Sequence, residues 1–345
     1  MSKPMHLSAP PSSCPEEHPF APFVRTLGRG RRGARSLERE EARTALGMIL
    51  DGEADPLQTG AFLMLLRVKE ETAEEIAGFV QAARERAQLP EAPIIVDLDW
   101  PTYAGKRQQP PWYLLSALLL ATHGHRVLMH GCEPHARNRL FAAQALPALG
   151  IAAARDWQEV REALDTRRFA YAPLALFSPG LQALLNLRHL FGLRSPVNTF
   201  VRHMNPLAAP ATMHSLQHPA YAVLHAGAAR QLGQPRALIF RGEGGECELR
   251  PNADSRCILL EGDAQRELGF TRQLAERGDA AIVPDVALLP ALWNGRTEDA
   301  YGEAAVIGTA AAALLALGGA NDADAALALA RDYWRRRGPW PGDTP

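Results

Sequence analysis

The sequence has little cysteine and no long hydrophobic run, and each shortage excludes a class of protein. Its four cysteines are scattered without a CxxC pair, so neither a disulfide framework nor a zinc site is indicated. The longest apolar runs are about ten residues, whereas a membrane-spanning helix needs about 20. We therefore expect a protein of the reducing cytoplasm, with no membrane partner.

The chain also lacks an excess of charge of either sign. Its 37 Lys and Arg residues and 38 Asp and Glu residues leave a formal net charge of −1. Nucleic-acid-binding proteins are usually basic, so any such role must depend on local patches rather than on the global charge. No HExxH motif is present among the eleven histidines, and we predict no metal site.

The first quarter of the chain is predicted to be helical. Residues 1–22 are rich in Pro, Ser and His without an apolar signal core, and we expect a flexible tail. Residues 23–90 carry only helical periodicity, with Ser36 predicted to cap one helix and Thr72 to cap another in a capping box with Glu75. A Pro-rich joint then separates this helical domain from residues 91–345.

After this joint, short apolar strands alternate with helices. This alternation predicts an α/β domain with a mostly parallel sheet. The predicted strands are Ile94–Val96, Val127–Met129, Ala170–Pro173, Ala237–Phe240 and Ile258–Leu260. The predicted helices are Trp112–Thr122, His135–Leu149, Pro179–Gly192, Pro219–Leu232 and Glu303–Leu317.

The segment 101–111 stands between a predicted strand and a predicted helix, where α/β proteins place phosphate-binding loops. It contains a single glycine, Gly105, followed by the basic pair Lys106-Arg107. Charge can attract a phosphate here, but one glycine cannot surround it with backbone N–H groups. Tyr103 adds an aromatic surface of the kind that single-strand binders use for stacking.

Several spaced motifs resemble one family. His130-Gly131 ends a predicted strand, and the segment from Arg194 to Pro206 resembles the Arg-Thr-x-Phe-Asn-x-x-Gly-Pro-x-x-Asn-Pro motif of anthranilate phosphoribosyltransferases. The segment Arg241–Glu246 stands where that family has His-Gly-x-Asp-Gly-x-Asp-Glu. The resemblance implies a small helical N-terminal domain, completed by a later segment near 180–205, a large α/β domain, and a homodimer formed through the helical domain.

The departures from the family bear on activity. The Gly-rich loop that holds the pyrophosphate of phosphoribosyl pyrophosphate is absent from 101–108, and the magnesium-binding Asp-Glu pair is reduced to Gly245-Glu246. Such a transfer needs Mg²⁺ to neutralise the leaving pyrophosphate. The resemblance therefore implies that the substrate cleft of the family is inherited, while the groups that bind the pyrophosphate and the magnesium ion are missing. The residues of this vestigial cleft are Gly105, His130, Gly131, Asn198, Asn205, Glu243 and Glu246.

The same departures make this sequence similar to the YbiB-type branch of the family, whose members bind nucleic acid. Arg202 stands where the enzymes have the Pro of their Gly-Pro pair, and a cation there suits a phosphodiester. We therefore expect sequence-independent binding of single-stranded DNA or RNA, without a catalytic residue or cofactor. The predicted contacts are Arg202, Lys106, Arg107, Arg194, Arg29, Arg31, Arg32, Arg35 and Tyr103. Arg139 could extend the basic cleft or lie on a solvated face.

Two alternatives remain open at this point. One is a phosphoribosyltransferase that uses phosphoribosyl pyrophosphate and Mg²⁺ with an unusual phosphate loop. The other is a non-catalytic sensor that keeps the cleft and binds a small ligand. Salt dependence separates the main interpretation from both, because binding to a nucleic-acid backbone weakens steeply as salt rises.

Overall fold

The computed structural model describes residues 16–30, 32–132, 138–276 and 284–340. Its strands are β1 Leu98–Thr102, β2 Val127–Gly131, β3 Phe169–Pro173, β4 Ala211–Leu216, β5 Arg236–Arg241, β6 Ser255–Glu261 and β7 Ala264–Phe270. Its helices are α1 Ala21–Gly28, α2 Arg39–Leu50, α3 Pro56–Lys69, α4 Ala73–Glu85, α5 Tyr113–Thr122, α6 Ala142–Ala145, α7 Trp157–Arg167, α8 Leu174–Phe177, α9 Pro179–Asn186, α10 Arg188–Phe191, α11 Val197–Phe200, α12 Ala222–Gln231, α13 Leu288–Trp293, α14 Ala300–Leu317 and α15 Ala323–Arg335.

The strands form one seven-stranded sheet in the order β3-β2-β1-β4-β5-β6-β7. The first five strands in this order, from β3 to β5, run parallel to one another, while β6 and β7 add an antiparallel edge. Helices cover both faces, as a parallel sheet requires because both of its faces are apolar. The predicted fold class, a small helical N-terminal domain with a larger, mostly parallel α/β domain, is confirmed.

The N-terminal helices pack around a chain of aromatic rings. Phe20 contacts Phe62, Phe62 contacts Phe79, and Phe79 contacts Phe200, with ring centroids 5.3–6.1 Å apart. The last of these rings lies on α11, more than a hundred residues further along the chain. A Cβ on Gly180 at the start of α9 would meet Leu50 of α2 at 2.8 Å. The segment from α9 to α11 thus belongs to the same helical layer as α1–α4.

The structure confirms one of the two predicted helix caps and contradicts the other. Thr72 Oγ1 accepts a hydrogen bond from Glu75 N–H at 3.2 Å, and the Glu75 carboxylate accepts one from Thr72 N–H at 2.8 Å, so the predicted capping box is present. Ser36 does not cap α2. That helix begins after Glu38, whose N–H donates to Glu41, while Ser36 Oγ accepts from Lys69 at 3.0 Å.

The predicted strands need three corrections. The first strand is Leu98–Thr102 rather than Ile94–Val96, so Pro101 belongs to a strand and not to the loop. Strand β4 was not predicted, because Ala211–Leu216 contains polar residues although every position is buried. Strand β7 was also missed, since it is a mostly exposed edge strand with few apolar residues.

The centre of one sheet face is filled by α14. By length and composition, Ala300–Leu317 could cross a membrane, whereas the sequence was predicted to contain no such segment. However, 78% of this helix is buried inside the protein. Its neighbours include α5, α15 and the strands β4 and β5. Within the described residues it is the core helix of this domain.

Candidate functional site

The sheet order reverses between β1 and β4, and this creates an opening at the carboxyl ends of the strands. The two strands pair only at Leu98–Ala211 and Asp99–Thr212 and have no further pairing beyond these positions. In open α/β sheets, ligands bind in the crevice at such a switch point. The segments that follow β1, β4 and β5 therefore define the candidate site.

The segment after β1 is held by two carboxylates from the segment after β5. The fully buried Glu246 accepts hydrogen bonds at Oε1 from Ala104 N–H (2.9 Å) and Gly105 N–H. The fully buried Glu248 accepts one from Tyr113 N–H at 2.9 Å, at the start of α5, and forms an ion pair with Lys106. The backbone N–H groups and the helix N-terminus that would attract a phosphate here are thus occupied by the protein's own acids.

A buried polar chain supports the ends of β1 and β2. Tyr103 Oη and His130 Nδ1 are hydrogen-bonded at 2.7 Å, and His130 Nε2 lies 3.1 Å from Asp99 Oδ1. Thr212 of β4 donates to Asp99 Oδ2 at 3.0 Å. The neighbouring Gly131 has no room for a side chain, since a Cβ would meet Thr102 O at 2.4 Å. This chain joins three strands inside the core.

The large cleft is a cavity of about 820 Å³ between the helical layer, the end of β4 and Gly245 in the segment after β5. Its volume falls within the range of ligand sites, roughly 300–1,000 Å³. Its lining includes Arg67, Arg194, Asn198, Arg202, Ser215, Gln217, Tyr221, His225 and Gly245. Arg202 is only 6% exposed and donates to Asn198 O at 3.3 Å and Gly245 O at 3.1 Å.

A second, smaller cavity of about 220 Å³ adjoins the first, and Gln217 lines both. We call it the arginine pocket. It is lined by Lys106, Arg107, Gln108, Arg139, Gln217, Arg241, Gly242, Glu243, Gly244 and Arg250. Arg139 Nη1 donates to Ala104 O, Gly105 O and Gly244 O at 2.8, 2.8 and 3.2 Å, so it joins the two segments that form the pocket.

Guanidinium groups are concentrated around these two cavities. Burial and, after it, charge repulsion from Arg139, Arg202 and Arg188 together lower the pKa of Arg194 to about 10. The pKa of Arg139 is lowered by burial first and then by Arg107. Because these arginines lie close enough to lower one another's pKa, the region around the two cavities is strongly positive, although the chain as a whole carries almost no net charge.

The comparisons with known proteins identify the family. A family model for the helical bundle domain of the glycosyl transferase family matches residues 21–87. The anthranilate phosphoribosyltransferase of Nitratidesulfovibrio vulgaris is 32% identical over 263 residues, covering 73% of this chain and 75% of the relative. The chain belongs to the anthranilate phosphoribosyltransferase-like family. The uncharacterized protein YbiB of Escherichia coli is also similar, at 28% identity over 72% of this chain and 78% of that protein.

Solved structures of the family share the fold. The anthranilate phosphoribosyltransferase of Thermus thermophilus has 26% sequence identity and a TM-score of 0.75, covering 92% of this chain and 94% of that chain. The yeast enzyme in complex with PRPP and Mg has a TM-score of 0.73 at 16% identity, over 92% of this chain and 93% of the yeast chain. At that identity the likeness shows the fold alone.

The residues at the site do not fit the magnesium ion that was bound to the yeast enzyme. Counted from Arg241, the family's acidic pair falls on Cys247-Glu248 and not, as predicted, on Gly245-Glu246. The acid that is retained, Glu248, already accepts Tyr113 N–H and pairs with Lys106. The described residues contain no group of three or more His, Cys, Asp or Glu side chains placed to hold a metal ion. Magnesium also requires near-ideal octahedral oxygen geometry, which one engaged carboxylate does not provide.

Several predicted contact residues lie elsewhere than expected. Tyr103 is buried and hydrogen-bonded to His130, so it offers no stacking surface. Lys106 is 1% exposed and paired with Glu248, which removes it as a free phosphate contact. Asn205 does not line the large cleft. Its amide is used by Ala209 and Gln234, and it faces another cavity.

The predicted basic loop at 29–35 is separate from the two cavities. Arg29 and Arg32 are exposed, and Arg35 forms a double hydrogen bond with Glu41 at 2.6 and 2.7 Å. Arg31 lies outside the described residues. No described residue of this loop lines the large cleft or the arginine pocket.

Three predicted arginines line the two cavities, together with four that the sequence had not assigned, of which Arg67 lies in the large cleft. Arg194 and Arg202 line the large cleft, and Arg107 lines the arginine pocket with Glu243. Arg139 was undecided from the sequence, while Arg241 and Arg250 were missed. A usable signal existed, because both arginines flank the Gly-rich segment after β5, at the carboxyl edge of the sheet.

Proposed function

We propose that this protein binds single-stranded nucleic acid without regard to sequence, along the large cleft and the adjoining arginine pocket. The observation that carries this proposal is the cluster of guanidinium groups on Arg107, Arg139, Arg188, Arg194 and Arg202, which repel one another. A chain of phosphates relieves such repulsion, and Arg is well suited to phosphate because its planar fork can donate two parallel hydrogen bonds.

The same geometry argues against phosphoribosyl transfer. The backbone groups of the former phosphate loop donate to Glu246 and Glu248, so a pyrophosphate would have to displace two buried carboxylates. Without the second metal-binding acid, the developing charge on a leaving pyrophosphate has no metal to neutralise it. We therefore propose binding without turnover and without a cofactor.

Phosphoribosyl transfer is nevertheless the second candidate, because the relatives at about 30% identity are mostly named as anthranilate phosphoribosyltransferases. The cleft volume of about 820 Å³ is sufficient for such substrates. In that case PRPP and Mg²⁺ would be required, and Glu246 would have to leave Ala104 and Gly105 when substrate binds.

The proposal is tested by titrating fluorescently labelled, mixed-sequence single strands with the protein at several salt concentrations. We expect affinity far tighter than millimolar at about 50 mM salt, and a slope of log affinity against log salt that decreases by about 0.7 for each phosphate contact removed. Arg194→Gln should flatten the slope, while Arg256→Gln, an exposed arginine on β6, should not. Millimolar affinity at low salt, or equal slopes for the two variants, would contradict the proposal.

A parallel assay separates the two candidates. The protein is incubated with PRPP, Mg²⁺ and anthranilate, and the loss of anthranilate fluorescence is followed. We expect no loss above background. A turnover of about 1 s⁻¹ or more, which is typical of enzymes, would favour the transferase instead.

We also propose that the protein is a homodimer formed through its helical layer. Leu57 and Val68 lie three turns apart on the same side of α3, and they are 83% and 85% exposed. Leu190 on α10 is 70% exposed, and Phe191 of α10 lies 3.8 Å from where a Cβ on Gly60 of α3 would be. A second copy of this chain would cover these neighbouring apolar side chains.

A further inference from the structure

The arginine pocket is lined by four arginines and one lysine, and three of these arginines have no counterion within the part of the chain that the structure describes. Arg107, Arg241 and Arg250 have no carboxylate partner among the residues that the structure describes, and Glu243 is the one acid in the pocket lining. Arg250 Nε is buried and has no hydrogen-bond acceptor within the described chain. An unpaired, partly desolvated donor of this kind costs free energy unless a ligand accepts its hydrogen.

We propose that the arginine pocket binds a phosphate monoester, and that its source is the terminal phosphate of the strand held in the large cleft. This inference rests on the proposed nucleic-acid binding, and it adds a preference for phosphorylated strand ends. A phosphate monoester carries about −1.5 to −2 charges at neutral pH, so several guanidinium groups can engage it at once.

The size of the pocket selects a phosphate rather than a larger group. Its volume of about 220 Å³ is below the roughly 300–1,000 Å³ of sites that enclose drug-sized ligands. A phosphate fits there, while the nucleoside that carries it would remain in the adjoining large cleft. Gln217, which lines both cavities, marks where the two meet.

The chemistry of this pocket differs from a Gly-rich phosphate loop. The N–H groups of Ala104, Gly105 and Tyr113 already donate to Glu246 and Glu248, so side chains rather than backbone groups must hold the phosphate. The pocket is also pre-formed, because the three hydrogen bonds from Arg139 join its two walls. Binding therefore requires no metal ion and little reorganisation of the protein.

The experiment compares internally labelled oligothymidylates of about 12 nucleotides, within the site sizes known for single-strand binders. The strands carry a 5′-phosphate, a 3′-phosphate or hydroxyl groups at both ends, and anisotropy is measured in EDTA. We expect one phosphorylated end to bind about tenfold more tightly than the hydroxyl-ended strand, which is the gain from one charge-assisted hydrogen bond. Inorganic phosphate should reduce this preference.

Variants test whether the preference arises in this pocket. Arg241→Gln and, separately, Arg107→Gln should remove the preference, and thermal melting checks that both remain folded. Both side chains are exposed, so their loss has little effect on the core. Arg256→Gln on β6 is the matched control and should keep the full preference.

The outcomes distinguish this inference from the proposed function. Equal affinity for all three strands would overturn the phosphate pocket while leaving nucleic-acid binding in place. If no strand binds but thymidine monophosphate or inorganic phosphate binds and Arg241→Gln abolishes it, the pocket stands, free phosphomonoesters are its ligands, and the nucleic-acid proposal fails. A preference that survives both Arg241→Gln and Arg107→Gln would also overturn the assignment.

Discussion

Three stacked histidines behind the large cleft should make the protein sensitive to acid. His203 lies between His214 and His225, with ring centroids 4.1 and 5.0 Å away, and His203 Nε2 is hydrogen-bonded to His225 Nδ1 at 2.8 Å. All three rings are buried. Burial lowers the pKa of each, neighbouring histidines lower the pKa of His203 and His214 further, and Arg202 adds charge repulsion at all three.

The sign and size of the effect follow from these pKa shifts. An exposed histidine in the unfolded chain titrates near 6.5, while the pKa of His225 in the folded protein is lowered to about 3. The unfolded state therefore binds more protons below about pH 6.5, and stability falls as the pH falls through that range. The loss from each such histidine approaches about 1.4 kcal/mol per pH unit only well below pH 6.5, so between pH 6.5 and 5.5 it is about 1 kcal/mol each, or about 3 kcal/mol for three.

Other buried groups act in the opposite direction, so the test needs a matched variant. Burial raises the pKa of Glu71 and Glu248. These two carboxyl groups bind protons more readily in the folded than in the unfolded protein, so acidification stabilises the folded state through them. His214→Phe keeps an aromatic ring beside His203 and removes one titrating group whose Nδ1 has no partner within the described residues. Between pH 7.5 and 5.5, the wild type should lose about 1.4 kcal/mol more than this variant.

The assay is urea unfolding at pH 7.5, 6.5 and 5.5, followed by tryptophan fluorescence and by circular dichroism. The two probes must give coincident transitions for the free energies to be comparable. His214→Gln serves as a second variant if the phenyl ring does not pack, and His189→Gln, an exposed histidine on α10, is the control. If His214→Phe, His214→Gln and the wild type all lose the same free energy on acidification, the reasoning is refuted.

Two further predictions concern the carboxylate that holds the loop and the assembly. Glu246→Ala frees the N–H groups of Ala104 and Gly105, so we expect it to bind inorganic pyrophosphate more tightly than the wild type does by calorimetry, with a stability loss of about 1–3 kcal/mol; equal pyrophosphate affinity of wild type and variant would contradict this. Light scattering at micromolar concentration should give the mass of two chains, with Val68→Glu shifting it toward one, and a wild-type mass of one chain would remove the dimer.

The local pattern of the sequence was sufficient for the class of fold and for most of its elements. The helical periodicity of residues 23–90 and the Thr72–Glu75 capping box depend on residues that are neighbours along the chain, and these were read correctly. The predicted helix His135–Leu149 was too long, because Leu140 pairs with Lys106 in a β-bridge and α6 begins only at Ala142. Strands β2, β3, β5 and β6 were found because their apolar runs are continuous. The position of β4 could not be read, because its polar residues are buried only through contacts with distant segments.

The site was predicted less well because its partners are far apart in sequence. Lys106 looked like a free cation, yet Glu248 lies 142 positions away and neutralises it. Likewise, nothing next to Gly105 indicates that the Glu246 carboxylate occupies the loop. An ion pair of this kind depends on which strands are adjacent, and strand order is not a local property of the sequence.

The sequence alone therefore determined that the catalytic motifs of the family are incomplete, since the missing glycines and the missing acid are visible as letters. The tertiary structure decided where the positive charge is concentrated. Parallel strands bring their carboxyl ends to one edge of the sheet, so Arg107 after β1, Arg139 after β2 and Arg241 at the end of β5 meet around one pocket. Their convergence, and not the net charge of −1, sets the electrostatic character of the site.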